Sequence, residues 1–160
     1  MKFVSINFLL LFGLVACNQN NAHKLEQGDW IKGTNAAQIK TIEKQFRGLD
    51  NAMVEIGYRY QELYWAGQDK NWEYADYQLK KISLALENGL ERRPKRAKSA
   101  EYFQNYILPE MKKSLEKKDV QIFNNTFKVL TNSCNSCHEM EKVPFFNVQI
   151  PIEKQSPIKR

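Results

Sequence analysis

Five consecutive residues near the carboxyl end of the chain restrict its fold and chemistry more than any other stretch. They are Cys134, Asn135, Ser136, Cys137 and His138. Two thiols three positions apart can each add to one vinyl group of a haem, which gives two thioether bonds. If the segment is helical, the imidazole of His138 can bring its Nε2 atom to the iron as an axial ligand. The spacing therefore predicts one covalently attached haem c, with Cys134 and Cys137 as attachment sites and His138 as the iron ligand.

Two other kinds of site use the same residue types. A Cys-x-x-Cys redox pair normally lies in a thioredoxin-like βαβ unit, and nothing in this sequence indicates one. A structural zinc site needs four ligands. The chain has three cysteines and two histidines, and one of each lies near the amino end. The sequence therefore favours the haem site over both alternatives.

The amino-terminal segment has the features of an export signal. Lys2 is the short basic region, and residues 3–15 form an apolar run that is too short for a permanent membrane-spanning helix. The sequence from Leu14 to Cys17 resembles the bacterial lipoprotein box, in which the cysteine is lipidated and becomes the first residue. An ordinary secretory leader with a chance cysteine is the alternative.

These features predict where the protein is found. We expect residues 1–16 to be the signal peptide and residues 17–34 to be a flexible polar tether. Asn18, which follows the cysteine, favours the outer membrane if Gram-negative sorting applies. Haem c is attached outside the cytoplasm, and lipid on Cys17 would leave no cysteine unused. The sequence thus predicts a lipid-anchored protein that faces the periplasm of a bacterial envelope.

Charge restricts the partners. The chain carries 24 basic and 18 acidic residues, and loss of Lys2 with the leader lowers the net charge from +6 to +5. The basic residues are spread over the predicted helices and form no long tract, so nucleic acid is not an expected partner. One short basic loop predicts either a docking surface for an acidic redox partner or contacts to haem propionates, and an ordinary solvated loop is the alternative. The loop consists of Arg92, Arg93, Lys95, Arg96 and Lys98. The sequence leaves open whether the protein forms a homodimer.

The longest apolar seam predicts the first helix. Apolar residues recur every three or four positions from Ile39 to Leu63, which places them on one helix face. Asn35 and Gln38 have the spacing of a capping box, and Gly67 is placed to follow the C-cap. We therefore expect one unbroken helix between these caps.

Three further helices follow. The second begins near Asn71 and ends before Pro94, and the third contains Pro109, which should kink it or split it. The fourth begins with Asp119 as its N-cap and carries the haem motif. Because the connections are short, the simplest all-α architecture is an antiparallel up-down-up-down four-helix bundle over residues 35–142.

The chain changes character after the motif. Residues 143–160 are apolar at first, rich in β-branched residues and interrupted by proline. This composition excludes a helix and is too apolar for a free tail. We expect an extended segment that packs on the haem end of the bundle.

A haem motif on the last helix of such a bundle resembles the class II cytochromes c, the cytochrome c-prime group. The resemblance covers residues 35–142 and rests on the motif, its place on the last helix and the number of helices. It implies that Cys134 and Cys137 carry the haem and that His138 is the proximal ligand. Two features depart from the family: the extended segment after the motif, and a helical region without a further family signature.

The same bundle predicts what covers the distal face of the haem. The start of the first helix lies at the motif end of an alternating bundle. At about 1.5 Å of rise per residue, Phe46 is close to the haem, whereas Met53 lies about 27 Å from the helix start. Met53 is therefore expected to be too distant to bind the iron opposite His138. Phe46 and Leu49 are expected to cover an apolar distal face, which leaves a five-coordinate iron.

Three functions are consistent with these features. The preferred one is a tethered single-electron carrier, because that is the commoner role of a single anchored haem c. The second is a five-coordinate haem protein that binds NO or CO for sensing or scavenging. The third is a lipoprotein without haem. No catalytic nucleophile or acid–base pair is evident, so we do not expect an enzyme.

Overall fold

A computed structural model describes residues 28–155 of the chain. The described residues divide into two units, one that ends at Thr41 and one that begins at Ile42. The predicted signal peptide and Cys17 lie outside the described residues. Within the described range the protein is all-α, without a strand. The α-helices are α1 (Asn35–Phe46), α2 (Leu49–Gln68), α3 (Trp72–Arg92), α4 (Ala97–Tyr102), α5 (Leu108–Glu116) and α6 (Val120–Met140).

The first unit contains the start of α1. The hydroxyl oxygen of Thr34 accepts a hydrogen bond from the backbone N–H of Ala37 at 3.3 Å. The side-chain amide of Gln38 donates to the carbonyl of Gly33 at 3.1 Å. Thr34 is therefore the capping residue, and the predicted capping box that began at Asn35 is wrong by one position. Asn35 is already the first helical residue.

In the second unit, the predicted first helix breaks between α1 and α2 at Arg47 and Gly48. Arg47 has a left-handed φ of 59°, which an α-helix cannot contain. The N–H of Gly48 donates to the carboxylate of Asp50 at 3.0 Å, which satisfies a donor at the start of α2. Gly48 lies beneath the Arg93 guanidinium, where an added Cβ would be 2.9 Å from Nε. The prediction of one unbroken helix is wrong because the apolar spacing continues across the break.

The cap of α6 is as predicted, and α3 begins where predicted, with Asn71 as its cap. The side chain of Asn71 accepts a hydrogen bond from the N–H of Tyr74 at 3.2 Å. The carboxylate of Asp119 accepts from the N–H groups of Gln121 and Ile122, both at 2.8 Å. Each side chain satisfies backbone donors that the first helical turn leaves without an intrahelical partner.

Pro109 interrupts the regular α-helix, as predicted. It lies in the first turn of α5, directly after a π-helical turn at Phe103–Ile107. Proline has no N–H to donate and its ring clashes with the preceding turn, so a wider turn before it relieves both problems.

Helices α2 to α6 share one hydrophobic core. Gly67 lies within α2, and a Cβ at this position would collide with the ring of Phe123 from α6. The predicted C-cap role of Gly67 is therefore wrong, since the missing side chain instead lets two helices approach. No helix in residues 28–155 is long and apolar enough to cross a membrane. The largest fully buried hydrophobic side chains are those of Phe123, Phe127, Leu63, Ile82, Met111 and Leu130.

A non-helical strap, residues 143–155, follows α6. It reverses direction after α6 and returns along α6 and α2 rather than staying at the motif end. The prediction that this segment packs on the haem end is therefore wrong for its later residues, because Tyr60 of α2 and Asp69, just after α2, bind its backbone and its lysine. The contacts pair Phe146 with His138, Val148 with Asn135, Gln149 with Tyr60, and Lys154 with Asp69.

Candidate haem attachment site

The five motif residues lie on the last two turns of α6. Cys134 and Cys137 are free thiols and are half-buried. Cys134 packs against the hydrophobic core, whereas Cys137 lies near Ser99 of α4. His138 is half-buried on the side of α6 that faces the strap. The structure therefore places the three predicted residues together near the carboxyl end of α6.

The imidazole of His138 is held by the strap. Its Nδ1 atom lies 2.5 Å from the carbonyl oxygen of Phe146. A carbonyl oxygen only accepts, so Nδ1 carries the hydrogen and the neutral ring has its free electron pair on Nε2. Histidines that bind metals usually donate their other ring N–H to such an acceptor. With Nδ1 as the donor to the Phe146 carbonyl, Nε2 is the ring nitrogen that is left for a ligand.

Both motif thiols have raised pKa values. Burial raises the pKa of Cys134 to about 12, and the neighbouring Cys137 contributes in the same direction. Burial also raises the pKa of Cys137, an effect that a hydrogen bond with Ser99 partly offsets. A disulfide-exchange cysteine needs a lowered pKa because the thiolate is the nucleophile. This pair lacks that property.

A polar cluster ties the basic loop to the end of α6. Arg96 forms an ion pair with Glu141, the residue that follows α6. The hydroxyl of Ser99 contacts the same carboxylate and lies 2.8 Å from the carbonyl of Arg96. Glu141 is three residues beyond His138. The basic loop thus lies beside the motif end of α6, where the sequence predicted it.

One guanidinium group in this loop has an unsatisfied donor. The Nε atom of Arg92 is buried and has no hydrogen-bond partner. A buried donor without a partner costs roughly 1–3 kcal/mol. Arg93 donates to the carbonyl of Arg92 at 2.8 Å, while Lys95 and Lys98 are exposed. The loop therefore suits an anionic group such as a haem propionate, and together with the Nε2 atom of His138 it fits the predicted cofactor.

Two polar contacts fix the register of α2 against α6. The hydroxyl groups of Tyr60 and Thr131 lie 2.7 Å apart in the buried interior. At the carboxyl end of α2, the side-chain amide of Gln68 donates a hydrogen bond to the side-chain oxygen of Asn124 at 2.6 Å. Residue numbers along α2 therefore fall as those along α6 rise, almost one for one.

This register brings Met53 to the level of the haem motif. Met53 is seven residues before Tyr60, and His138 is seven residues after Thr131. Seven residues are nearly two full helical turns, so each step returns to the same helix face. The helix-height calculation behind the expectation that Met53 lies too far from His138 does not hold, because the break before Leu49 makes Met53 part of the second turn of α2. The distance from Met53 to the predicted iron site stays a prediction.

The two predicted distal residues are placed differently. Phe46, at the end of α1, is 57% exposed. Leu49 is half-buried, and its Cδ1 atom lies 2.8 Å from where a Cβ on Gly89 would be, so it faces α3. Their role as covers of a distal haem face stays a prediction. Sequence reasoning set Met53 aside as too distant, although Gly48 and Asp50 carried a local signal for a helix start just before it.

Among residues 28–155, no three or more histidine, cysteine or acidic side chains cluster as they would around a metal ion. No protein-family model, curated protein or solved structure matches the chain. The basis for a functional proposal is therefore the site itself.

Proposed function

We propose that this protein is a monohaem c-type cytochrome that carries single electrons in a bacterial envelope and is anchored by lipid on Cys17. The observation that carries the proposal is the contact between the Nδ1 atom of His138 and the Phe146 carbonyl, at the end of a Cys-x-x-Cys-His motif. Haem c, when bound, supplies an iron that changes its charge by one electron.

Each motif residue has a defined task in this proposal. Cys134 and Cys137 would hold the haem through thioether bonds, and the Nε2 atom of His138 would bind the iron. The burial of Cys134 excludes water from one attachment point. Arg92, with its unpaired buried Nε, would neutralise a propionate.

The proposal includes the class II arrangement, an up-down-up-down bundle of α2, α3, the α4–α5 run and α6. Contacts at both ends of the α2–α3 pair support it. The hydroxyl of Tyr74 donates to the carboxylate of Glu62 at 2.5 Å near the connecting turn, and Leu49 lies against Gly89 at the far end. In this arrangement α1 is a separate element before the bundle.

Met53 supports the carrier role over gas binding. A thioether on the second axial position would occupy the site that NO or CO needs. Met53 packs as a half-buried residue against the core at the level of His138. The gas-binding alternative is supported by Leu49 and Ile56, half-buried apolar residues on α2 near Met53 that would line an open pocket.

The basic loop supports an acidic redox partner. Arg93, Lys95 and Lys98 are exposed beside the motif end of α6. Charge of one sign at a redox edge accelerates encounter with a partner of the opposite sign and makes the rate depend on salt.

The experiment is a redox titration of the matured protein, followed by exposure of the reduced form to CO. A carrier should titrate as one reversible one-electron couple and leave its reduced spectrum unchanged under CO. A reduced spectrum that shifts fully under CO would support the gas-binding alternative instead. Failure to undergo reversible reduction would contradict the carrier role.

A further inference from the structure

The side chain of Asn135 holds the strap at one residue. Its Oδ1 atom accepts a hydrogen bond from the N–H of Val148 at 2.7 Å. Its Nδ2 atom donates to the carbonyl of Val148 at 3.0 Å. One amide side chain thus satisfies both backbone groups of Val148, and the strap cannot slide by a residue without losing both bonds.

The strap is fixed on both sides of Phe146. On the carboxyl side, the Gln149 carbonyl lies 3.2 Å from the Tyr60 hydroxyl. On the amino side, the N–H of Val143 donates to the His138 carbonyl at 2.9 Å, and the N–H of Phe146 donates to the Val143 carbonyl at 3.1 Å. The carbonyl of Phe146 therefore has a defined position relative to α6.

Asn135 and His138 are neighbours on α6. They are three residues apart, a spacing that places side chains next to each other on a helix. One side chain binds Val148 and the other contacts the Phe146 carbonyl two residues away. One of the two residues between the cysteines is thus the anchor of the segment that contacts the histidine.

We propose that Asn135 is a positioning residue for His138: by holding the strap, it places the Phe146 carbonyl on Nδ1 and so fixes the tautomer and orientation in which Nε2 meets the iron. The inference rests on the proposed function, because the orientation of His138 matters only if it binds iron. Without the anchor, the ring loses its acceptor and is free to turn and to move its hydrogen to Nε2.

The tautomer is measurable without haem. The full chain, produced without haem maturation and labelled with nitrogen-15 in histidine, gives separate NMR signals for the two ring nitrogens. His138 is assigned with the variant His23→Gln, since the chain has two histidines. We expect the Nδ1–H tautomer at a pH where the ring is neutral, and its loss in Asn135→Ala. The control Asn132→Ala alters an exposed asparagine one turn earlier and should keep it.

A second variant removes the strap by a stop codon at position 143, and far-ultraviolet circular dichroism checks that the helices persist in every variant. In matured protein, Asn135→Ala should also raise the reduction potential, because a ring without its acceptor donates less charge to the ferric iron. An Nε2–H tautomer in the unaltered chain, or an unchanged tautomer in Asn135→Ala, would overturn the inference. If the tautomers are as expected but the chain never attaches haem, the proposed function is overturned. The contact by which the strap orients His138 would then still be supported.

Discussion

Tyr60 and Thr131 join α2 to α6 through hydroxyl groups 2.7 Å apart in the buried interior. Because this contact sets the register of the two helices, it also decides which α2 side chain lies at the level of His138. Seven residues from each partner lead to Met53 and His138. Under the proposed function, the residue opposite His138 would thus be set by a contact two helical turns away.

Met53→Leu tests this register in the matured protein. We expect the unaltered protein to be low-spin in both oxidation states, since a thioether would complete the coordination of the iron. The leucine variant should become high-spin and bind CO when reduced. Leucine has a similar volume, so the change should cost less than about 1.5 kcal/mol in stability. Optical spectra measure the change in spin state and the binding of CO.

The matched control is Met111→Leu, at a fully buried methionine of α5. It should leave the spectrum unchanged. A high-spin spectrum in the unaltered protein, identical in Met53→Leu, would mean that Met53 does not bind the iron and would support a five-coordinate haem.

Cys17→Ala tests the lipid anchor. A lipoprotein cysteine carries two or three acyl chains, which hold a protein stably, whereas one chain binds only weakly. The variant should move from the membrane fraction to the soluble periplasm and lose palmitate labelling. The control Asn20→Ala, in the same tether, should stay with the membrane. Unchanged fractionation of Cys17→Ala would contradict the lipoprotein assignment.

Two glycines of α2 should respond in opposite directions to the same substitution. At Gly67 an added Cβ collides with Phe123, so Gly67→Ala should lower the free energy of unfolding by about 1–3 kcal/mol. At Gly57 nothing lies within 4 Å of an added Cβ, so Gly57→Ala should raise it by up to about 1 kcal/mol. Urea denaturation of both variants without haem measures the difference. Equal effects would contradict the close approach of α2 and α6.

Tyr60 should make the protein less stable at high pH. Burial raises the pKa of Tyr60 to about 12, and the hydrogen bond with Thr131 offsets only part of that shift. Between the ordinary pKa of 10.0 and this value, the unfolded state loses its proton while the folded state keeps it, so the free energy of unfolding falls as the pH rises. The stabilisation is fully present below the ordinary pKa.

The variant Tyr60→Phe should show a weaker fall in stability between about pH 9 and about pH 11. The control Tyr58→Phe alters an exposed tyrosine on the same helix and should keep the full fall. Denaturation curves at the two pH values give the comparison. An equal fall in both variants would contradict the burial of the Tyr60 hydroxyl.

Local chemistry explains which parts of the fold the sequence revealed. Asn71 and Asp119 cap helices through backbone groups two or three residues away, and Pro109 disturbs the turn before it. Each effect depends on neighbours in the chain. The break at Gly48 was missed because an apolar seam records only which face is buried, and here that face continues on both sides of the break.

The site divides in the same way. The motif ending in His138 was recognisable because its spacing is local. The position of Met53 relative to the motif could not be recognised in the same way, because it depends on a contact between Tyr60 and a residue 71 positions away in the chain. The hydrogen-bond acceptor for His138 is the backbone carbonyl of Phe146. Every residue has such a carbonyl, so the residue type does not predict this role.

The most direct test of the account is the intact mass of the protein after expression with a haem c maturation system and acid–acetone extraction. We expect the mass to include one haem that survives extraction, and to lose it completely when Cys134 and Cys137 are both replaced by alanine. Recovery of the unmodified chain with two reactive thiols, under conditions that mature a control cytochrome, would contradict the central claim.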